Sequence, residues 1–502
     1  MPRRNLIWIL ATVTFCVLTW AMVQSSGMPP RGPLQVARLL PGYEQDYENL
    51  SLFLDILQYV ERNYVRPLDA KARRKFFEDA IQGGLQGLDE HSSFINEKEL
   101  RIFQRQNEGE YTGIGIQITV HRETKRLVVV TPIVGTPAYH AGIKPDDEIL
   151  KIDGASTEGM SAEDAVERIQ GPPGTQVTLT IRHRGEPMER DIRLTRSRIE
   201  VETVLGDRRR ADGQWDFLLD KDAGIGYVRV VQFSRRTAEE LEAVLQRLSN
   251  SGLRALIVDL RDNPGGLLDV AVKIADLFLE HGTIVTVQGR AEESQRVFEA
   301  HQPGTYLTPA QRYPMAVLIN RSSASASEIV AAALQDHKRA VILGERSFGK
   351  GSVQNLISLE RGKSALKLTV ARYLRPSGKN IHRFADSRDD DDWGVRPDIE
   401  MRLADREWRD YWEARRERDI IRDESQVLLE GMASLNLTLA PITQPAMPLV
   451  LGGSQVLLTQ FWTGAALMPR DYRGQPRLVP RVFRDKVLER AMQELYEKLK
   501  AG

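Results

Sequence analysis

Cysteine is almost absent from this sequence: its 502 residues include one, Cys16. Thiol chemistry and internal disulfides are therefore excluded from everything after residue 16, and stability must come from packed cores. Excess charge of either sign is missing too. Sixty-nine Lys and Arg face 69 Asp and Glu, so there is no basic footprint and no nucleic-acid partner is expected. The short runs Arg208–Arg210 and Asp389–Asp392 read as solvated loops. Histidine is sparse and scattered: His91, His121, His140 and His183 have no metal-ligand spacing. Without a Cys/His cluster or a metalloprotease motif, neither a metal nor another cofactor is expected. No heptad array or internal repeat occurs.

Long apolar runs are also missing, except at the N-terminus. There Arg3 and Arg4 precede an uncharged, mostly apolar stretch from Leu6 to about Val23, at the lower limit of length for crossing a bilayer as a helix. No convincing small-x-small cleavage site follows it. The expectation for residues 1–28 is an uncleaved signal anchor. The remainder then lies on the extracytoplasmic, periplasmic side of the inner membrane; cleavage would make the same chain secreted.

What is present points to a multidomain globular chain, since 502 residues with 41% hydrophobic content exceed one core. Residues 29–44 are Pro- and Gly-rich and read as a linker. Residues 45–108 form an N-terminal helical region, with Leu50, Phe53, Leu54, Leu57 and Val60 recurring at helical spacing. Residues 109–197 read as a compact β-rich module. Its expected strands are Leu127–Thr131, Glu148–Ile152 and Gln176–Arg182, with a Ser161-capped helix to Ile169. Residues 198–400 read as α/β, because the Leu253–Leu260 and Tyr313–Asn320 runs suit strands covered on both faces. Residues 401–502 form an extension with helices expected over 405–431 and 485–499.

The chemistry-bearing residues cluster in the α/β region. Ser325 lies in a turn of small residues, Arg321–Glu328, where a strand gives way to a helix. Unpaired N–H groups and the helix dipole favour an oxyanion forming there, although a serine at a helix start is more often only a cap. Lys350 sits in a Gly-flanked loop after a buried strand. Desolvation would lower its pKa and let it take a proton from a hydroxyl; otherwise it is an ordinary surface lysine. The glycines of Asp262–Gly266 are placed to present N–H groups to the same oxyanion. His337 and His382 are the nearest histidines in sequence. The first resembles a solvated helix end, the second lies in a polar loop, and neither has an orienting carboxylate.

Together these motifs resemble the carboxyl-terminal processing, or tail-specific, serine proteases. The resemblance is carried by Gly113–Ile118, Asp259–Gly266, Ser323–Glu328 and Gly349–Gln354, with Asp89–Ser93 and Gly394–Asp398 as further landmarks. It implies a crotonase/Clp-like α/β protease core of S41 type with an inserted PDZ domain. It makes Ser325 the nucleophile, Lys350 its base, Gln354 the lysine's orienting partner and Asp336 a supporting residue. Gly265, Gly266 and Ala326 become the oxyanion hole. In the PDZ domain, the Gly113, Ile114, Gly115 and Ile116 backbone would hold a terminal carboxylate. A captured tail would pair along Ile116 and Ile118, with Val166 and Ile169 as the groove's helical wall. The implied partners are C-terminal tails of exported or membrane proteins, with a homo-oligomer or adaptor as a further possibility. Two rival readings are a catalytically inactive PDZ-containing adaptor and a crotonase-like acyl-CoA enzyme. The first predicts loss of Ser325 or Lys350; the second leaves the export segment unexplained.

Overall fold

The computed structural model describes residues 43–121, 124–184, 186–210, 212–290, 295–301, 313–420, 450–451, 454–455 and 483–501. The expected anchor over 1–28, nearly all of the linker and the second part of the 405–431 helix lie outside the described residues. No described helix is long and apolar enough to cross a membrane. The chain divides into two units, residues up to 84 and residues from 85 onward.

In the first unit, helices Tyr43–Asn63 and Ala70–Gln86 meet through Phe53, whose ring lies 6.1 Å from Phe76 and 5.7 Å from Phe77. Leu57 is buried beside them, while Leu50 and Leu54 of the same expected stripe are 63% and 53% exposed. Two helices share one seam, so only part of the stripe finds cover.

In the second unit, the apolar runs become a parallel sheet. Ile225–Val230, Ala255–Asp259, Met315–Ile319, Val341–Gly344 and Ile399–Glu400 lie side by side in that order. A strand that is apolar at every position needs cover on both faces. On one face Val228, Leu256, Val258, Val317 and Ile319 pack on helices Thr237–Asn250, Leu268–Asp276 and Ala326–Asp336. On the other, Tyr227, Ile257, Leu318 and Leu343 pack on Trp408 and Tyr411 of helix Asp405–Asp419. Val487, Leu488, Ala491 and Leu495 of helix Lys486–Ala501 complete that cover. The described helices of the C-terminal extension are therefore a layer of the core. A second, antiparallel sheet centres on Ser364–Leu374, flanked by Ser93–Ile95, Ser352–Leu359 and His281–Gly289.

The β-rich module stands on a two-stranded stalk, because Glu110–Gly113 pairs antiparallel with Ser197–Glu200. Its main sheet runs in the order Ile116–Val120, Leu127–Pro132, Glu148–Ile152, Gln176–Arg182, Glu189–Thr195. Ser161 caps helix Ala162–Ile169 by accepting the Asp164 N–H at 3.1 Å. Glu189–Thr195 was not among the expected strands: Glu189, Arg190, Asp191 and Arg193 leave its period unreadable.

Candidate active site

Three loops converge at the carboxyl ends of three adjacent parallel strands, where open α/β sheets place their sites. Met315–Ile319 leads to Ser325, Ala255–Asp259 to Asp262–Gly266, and Val341–Gly344 to Lys350. Ser325 precedes helix Ala326–Asp336 with φ 55° and ψ −113°, a conformation costly for a residue bearing a Cβ. The surroundings enforce it. The Asn263 carbonyl accepts from Ala324 N–H and Ser327 Oγ, both at 3.0 Å, while Asn263 Nδ2 donates to the Val230 carbonyl at 2.6 Å. Asn320 Oδ1 accepts the Asp262 N–H at 3.0 Å, and Ser323 Oγ donates to the Leu260 carbonyl at 2.8 Å. Ser325 itself is 9% exposed.

Gly265 allows the closest approach of the two loops. A Cβ there would stand 2.8 Å from Ser325 Cβ and 2.9 Å from Ala326 N. Its own N–H is not free, since it donates to Asn263 Oδ1 at 2.8 Å. Among the described residues, the N–H groups of Gly266 and Ala326 have no hydrogen-bond partner. Of the three expected oxyanion residues, two therefore retain a donor, and Gly265 supplies proximity instead.

Lys350 is half-buried, and burial with the nearby Lys367 charge lowers its pKa below that of an ordinary lysine, against the pull of Glu328 and Glu90. No hydrogen bond joins its Nζ to Ser325 Oγ. Gln354 makes no hydrogen bond to the lysine: its amide donates to Ser352 Oγ at 2.8 Å and Thr369 Oγ1 at 3.2 Å. Asp336 is not at the site either. It ends the helix that Ser325 begins, about 15 Å along the axis at the usual rise per residue. There it accepts from Arg375 Nη2 at 2.6 Å, Arg375 Nε at 3.0 Å and Ser377 N–H at 3.0 Å. Burial pulls its pKa upward, but these bonds outweigh it and hold the carboxyl below its usual value.

Several residues not assigned a site role from sequence surround Lys350. The Asp89 carboxylate accepts from His91 N–H at 2.7 Å, Ser92 N–H at 2.8 Å and Thr369 Oγ1 at 3.0 Å, fixing that turn to the strand beyond the lysine loop. The His91 and His382 rings stand edge to face at 6.2 Å. Burial lowers both pKa values, helped by Lys350 at His91 and by His91 at His382, so both rings hold a proton less readily than a free imidazole. His382 lies in a loop, as expected, and its ring packs against those of His91 and Phe384. Gly351 makes room for this segment, since a Cβ there would lie 2.3 Å from His382 N. Neither ring hydrogen-bonds Ser325, and His337 instead pairs Nε2 with the Thr283 carbonyl at 2.7 Å. Glu328 joins the Ser325 turn to the lysine loop. Its spacing of three from Ser325 was the readable signal, that of a capping pair.

The module carries a separate groove. Ile116–Val120 is an edge strand paired on one side only. Ile114, Gly115, Ile116, Ile118, Val166 and Ile169 line a cavity of about 230 Å³ beside Tyr111 and Gln170. Gly113 lies at its margin, where a Cβ would meet the Tyr111 ring at 3.1 Å. The Ile114 and Gly115 N–H groups have no partner among the described residues. Gly115 has φ 78°, and a Cβ there would overlap Thr136 at 2.3 Å.

Residues 224–401 match Peptidase family S41, and residues 128–183 match the PDZ domain. The chain is 40% identical over 361 residues to the carboxy-terminal-processing protease of Bartonella bacilliformis, covering 71% of this chain and 76% of that one. This chain belongs to the carboxy-terminal-processing protease family. A carboxyl-terminal-processing protease of Synechocystis sp. is 38% identical over 309 residues, which cover 61% of this chain and 68% of that protein. As a family S41 member it is a serine-type peptidase, built as an α/β core with a PDZ domain. The acyl-CoA reading is set aside.

Proposed function

We propose that this chain is an endopeptidase that cleaves exported or membrane proteins near their C-termini, using Ser325 as nucleophile and Lys350 as base. One observation carries the reading: a strained, nearly buried serine lies against a loop whose Gly266 N–H, like that of the adjoining Ala326, is unengaged, with a desolvated lysine on the neighbouring loop. Ser325 Oγ attacks the peptide carbonyl while its proton passes to Lys350. The oxyanion is held by the Gly266 and Ala326 N–H groups, the amine leaves with the proton, and water then releases the acyl group by the reverse transfer.

The PDZ groove selects the tail. A free edge strand offers main-chain pairing, the Ile114 and Gly115 N–H groups suit a terminal carboxylate, and the apolar cavity suits its last side chain. Because Lys350 Nζ and Ser325 Oγ are not hydrogen-bonded, tail capture is proposed to move the lysine into line. The apolar N-terminal stretch behind Arg3 and Arg4 supports anchoring to the membrane with the protease outside the cytoplasm.

The test compares wild type, Ser325→Ala and Lys350→Ala on peptides with free and amidated C-termini. Only wild type should cleave, and the free-carboxylate peptide should be preferred. Equal cleavage by all three proteins would sink the dyad; equal use of both peptides would sink tail recognition.

A further inference from the structure

Glu328 is fully buried, yet its carboxylate faces the catalytic loops and takes no side-chain cation. Oε2 accepts the N–H of Ser325 and the N–H of Lys350, both at 2.8 Å. Oε1 accepts the Gly349 N–H at 2.6 Å and the Ser347 hydroxyl at 2.5 Å. Ser347 Oγ accepts in turn from Val395 N–H at 2.7 Å. A buried carboxylate costs several kcal/mol unless it is well hydrogen-bonded. Four donors, two of them from the dyad's own main chains, offset that cost.

The electrostatic effect of this carboxylate is adverse. It favours the ammonium form of Lys350, opposing the burial that makes the lysine a usable base. What it supplies is geometry: one oxygen spans the backbones of the nucleophile and the base while their side chains remain unbonded.

We propose that Glu328 is a positioning residue for the Ser325–Lys350 pair, holding the two main chains so that a change of the Lys350 side chain alone completes the dyad. The inference rests on the dyad reading above. Burial pushes the Glu328 pKa up to about 7, against the four hydrogen bonds that lower it. Once protonated, the carboxyl turns one acceptor into a donor and must release a contact. Ser347, Gly349, Lys350 and the Gly394 backbone face it; Lys350 carries the charge among them, with Lys367, Glu90 and His91 beyond.

The experiment measures kcat, KM and the pH profile on a tailed peptide for wild type, Glu328→Gln and Ser347→Ala, beside Ser325→Ala and Lys350→Ala. Glu328→Gln is near-isosteric but turns an NH₂ toward N–H donors. It should lower kcat roughly 100-fold, the usual effect of a small displacement in a catalytic site, with KM unchanged. On the acid side log kcat/KM should reach a limiting slope of two in wild type, one proton for Lys350 and one for Glu328, whose pKa lies at about 7. In Glu328→Gln the slope should be one, with its midpoint at lower pH because Lys350 has lost an attracting charge. Ser347→Ala keeps both bonds to Oε2 and should lose about three- to tenfold in kcat. Wild-type kcat or an unchanged slope in folded Glu328→Gln overturns the proposal. If that variant does not fold, wild-type kcat in Ser347→Ala overturns it. Cleavage persisting in Ser325→Ala or Lys350→Ala would instead defeat the dyad reading.

Discussion

In the proposed dyad Lys350 works as a base only while it is neutral, so the charges around it set the working pH. Burial and Lys367 lower its pKa from 10.5. Activity should therefore rise with pH as Lys350 loses its proton and level off below 10.5. Lys367→Gln removes a like charge, raises the Lys350 pKa and should move this limb to higher pH; a pH–rate series reads the shift directly. Asp336 tests the opposite case, a motif residue with a structural task. Asp336→Asn should cost about 1.5–3 kcal/mol from the lost charged hydrogen bonds to Arg375, seen as a lower Tm, with kcat per folded molecule unchanged. That stabilisation is in place above the ordinary carboxyl value of 3.8 and is lost as pH falls through the lower folded value.

Elements were more legible than contacts. Gln176–Arg182 and Glu148–Ile152 have the expected bounds because alternation and flanking turns mark strands locally. The Ser325 turn and the Lys350 loop were found through motif resemblance, since no local rule distinguishes a catalytic serine from a cap. Partners across loops leave no periodic trace. Asn263 and Asn320, which sew the two loops together, look like ordinary strand-end residues, and nothing local reveals that Gln354 turns toward Thr369. The groove residues, too, were reached through the PDZ resemblance, since glycines beside alternating isoleucines serve an ordinary turn equally well. Val166→Asp tests that element. A charge on the groove's helical wall should raise KM about tenfold for a tailed peptide, the scale of a lost apolar contact, while kcat holds. A KM rise confined to the free-carboxylate substrate would identify the groove as the point of capture.

For the whole molecule, the C-terminal helices and the Asp262–Gly266 loop are tied together. Asp485 accepts from Arg261 Nη2 at 2.7 Å and Nη1 at 3.1 Å. Arg261 also pairs with Asp259 at 2.7 Å and lies over the Tyr411 ring at 4.7 Å. Arg261 belongs to the loop that ends in Gly265 and Gly266. Asp485→Asn leaves a buried guanidinium short of a partner and should cost about 3 kcal/mol, lowering both Tm and kcat. Thermal melts paired with turnover would read both; a changed Tm with untouched turnover would separate the helix from the loop.

The two-stranded stalk has a consequence for how such an enzyme diversifies. Gly113 and Ser197 are register partners, so the inserted domain leaves and re-enters the core at neighbouring points. Paired residues lie about 5 Å apart, a gap that a very short linker can close. The core thus has a socket with fixed spacing, into which a different inserted domain can be exchanged like a cartridge. Recognition and bond cleavage can then be inherited, swapped or tuned as separate parts.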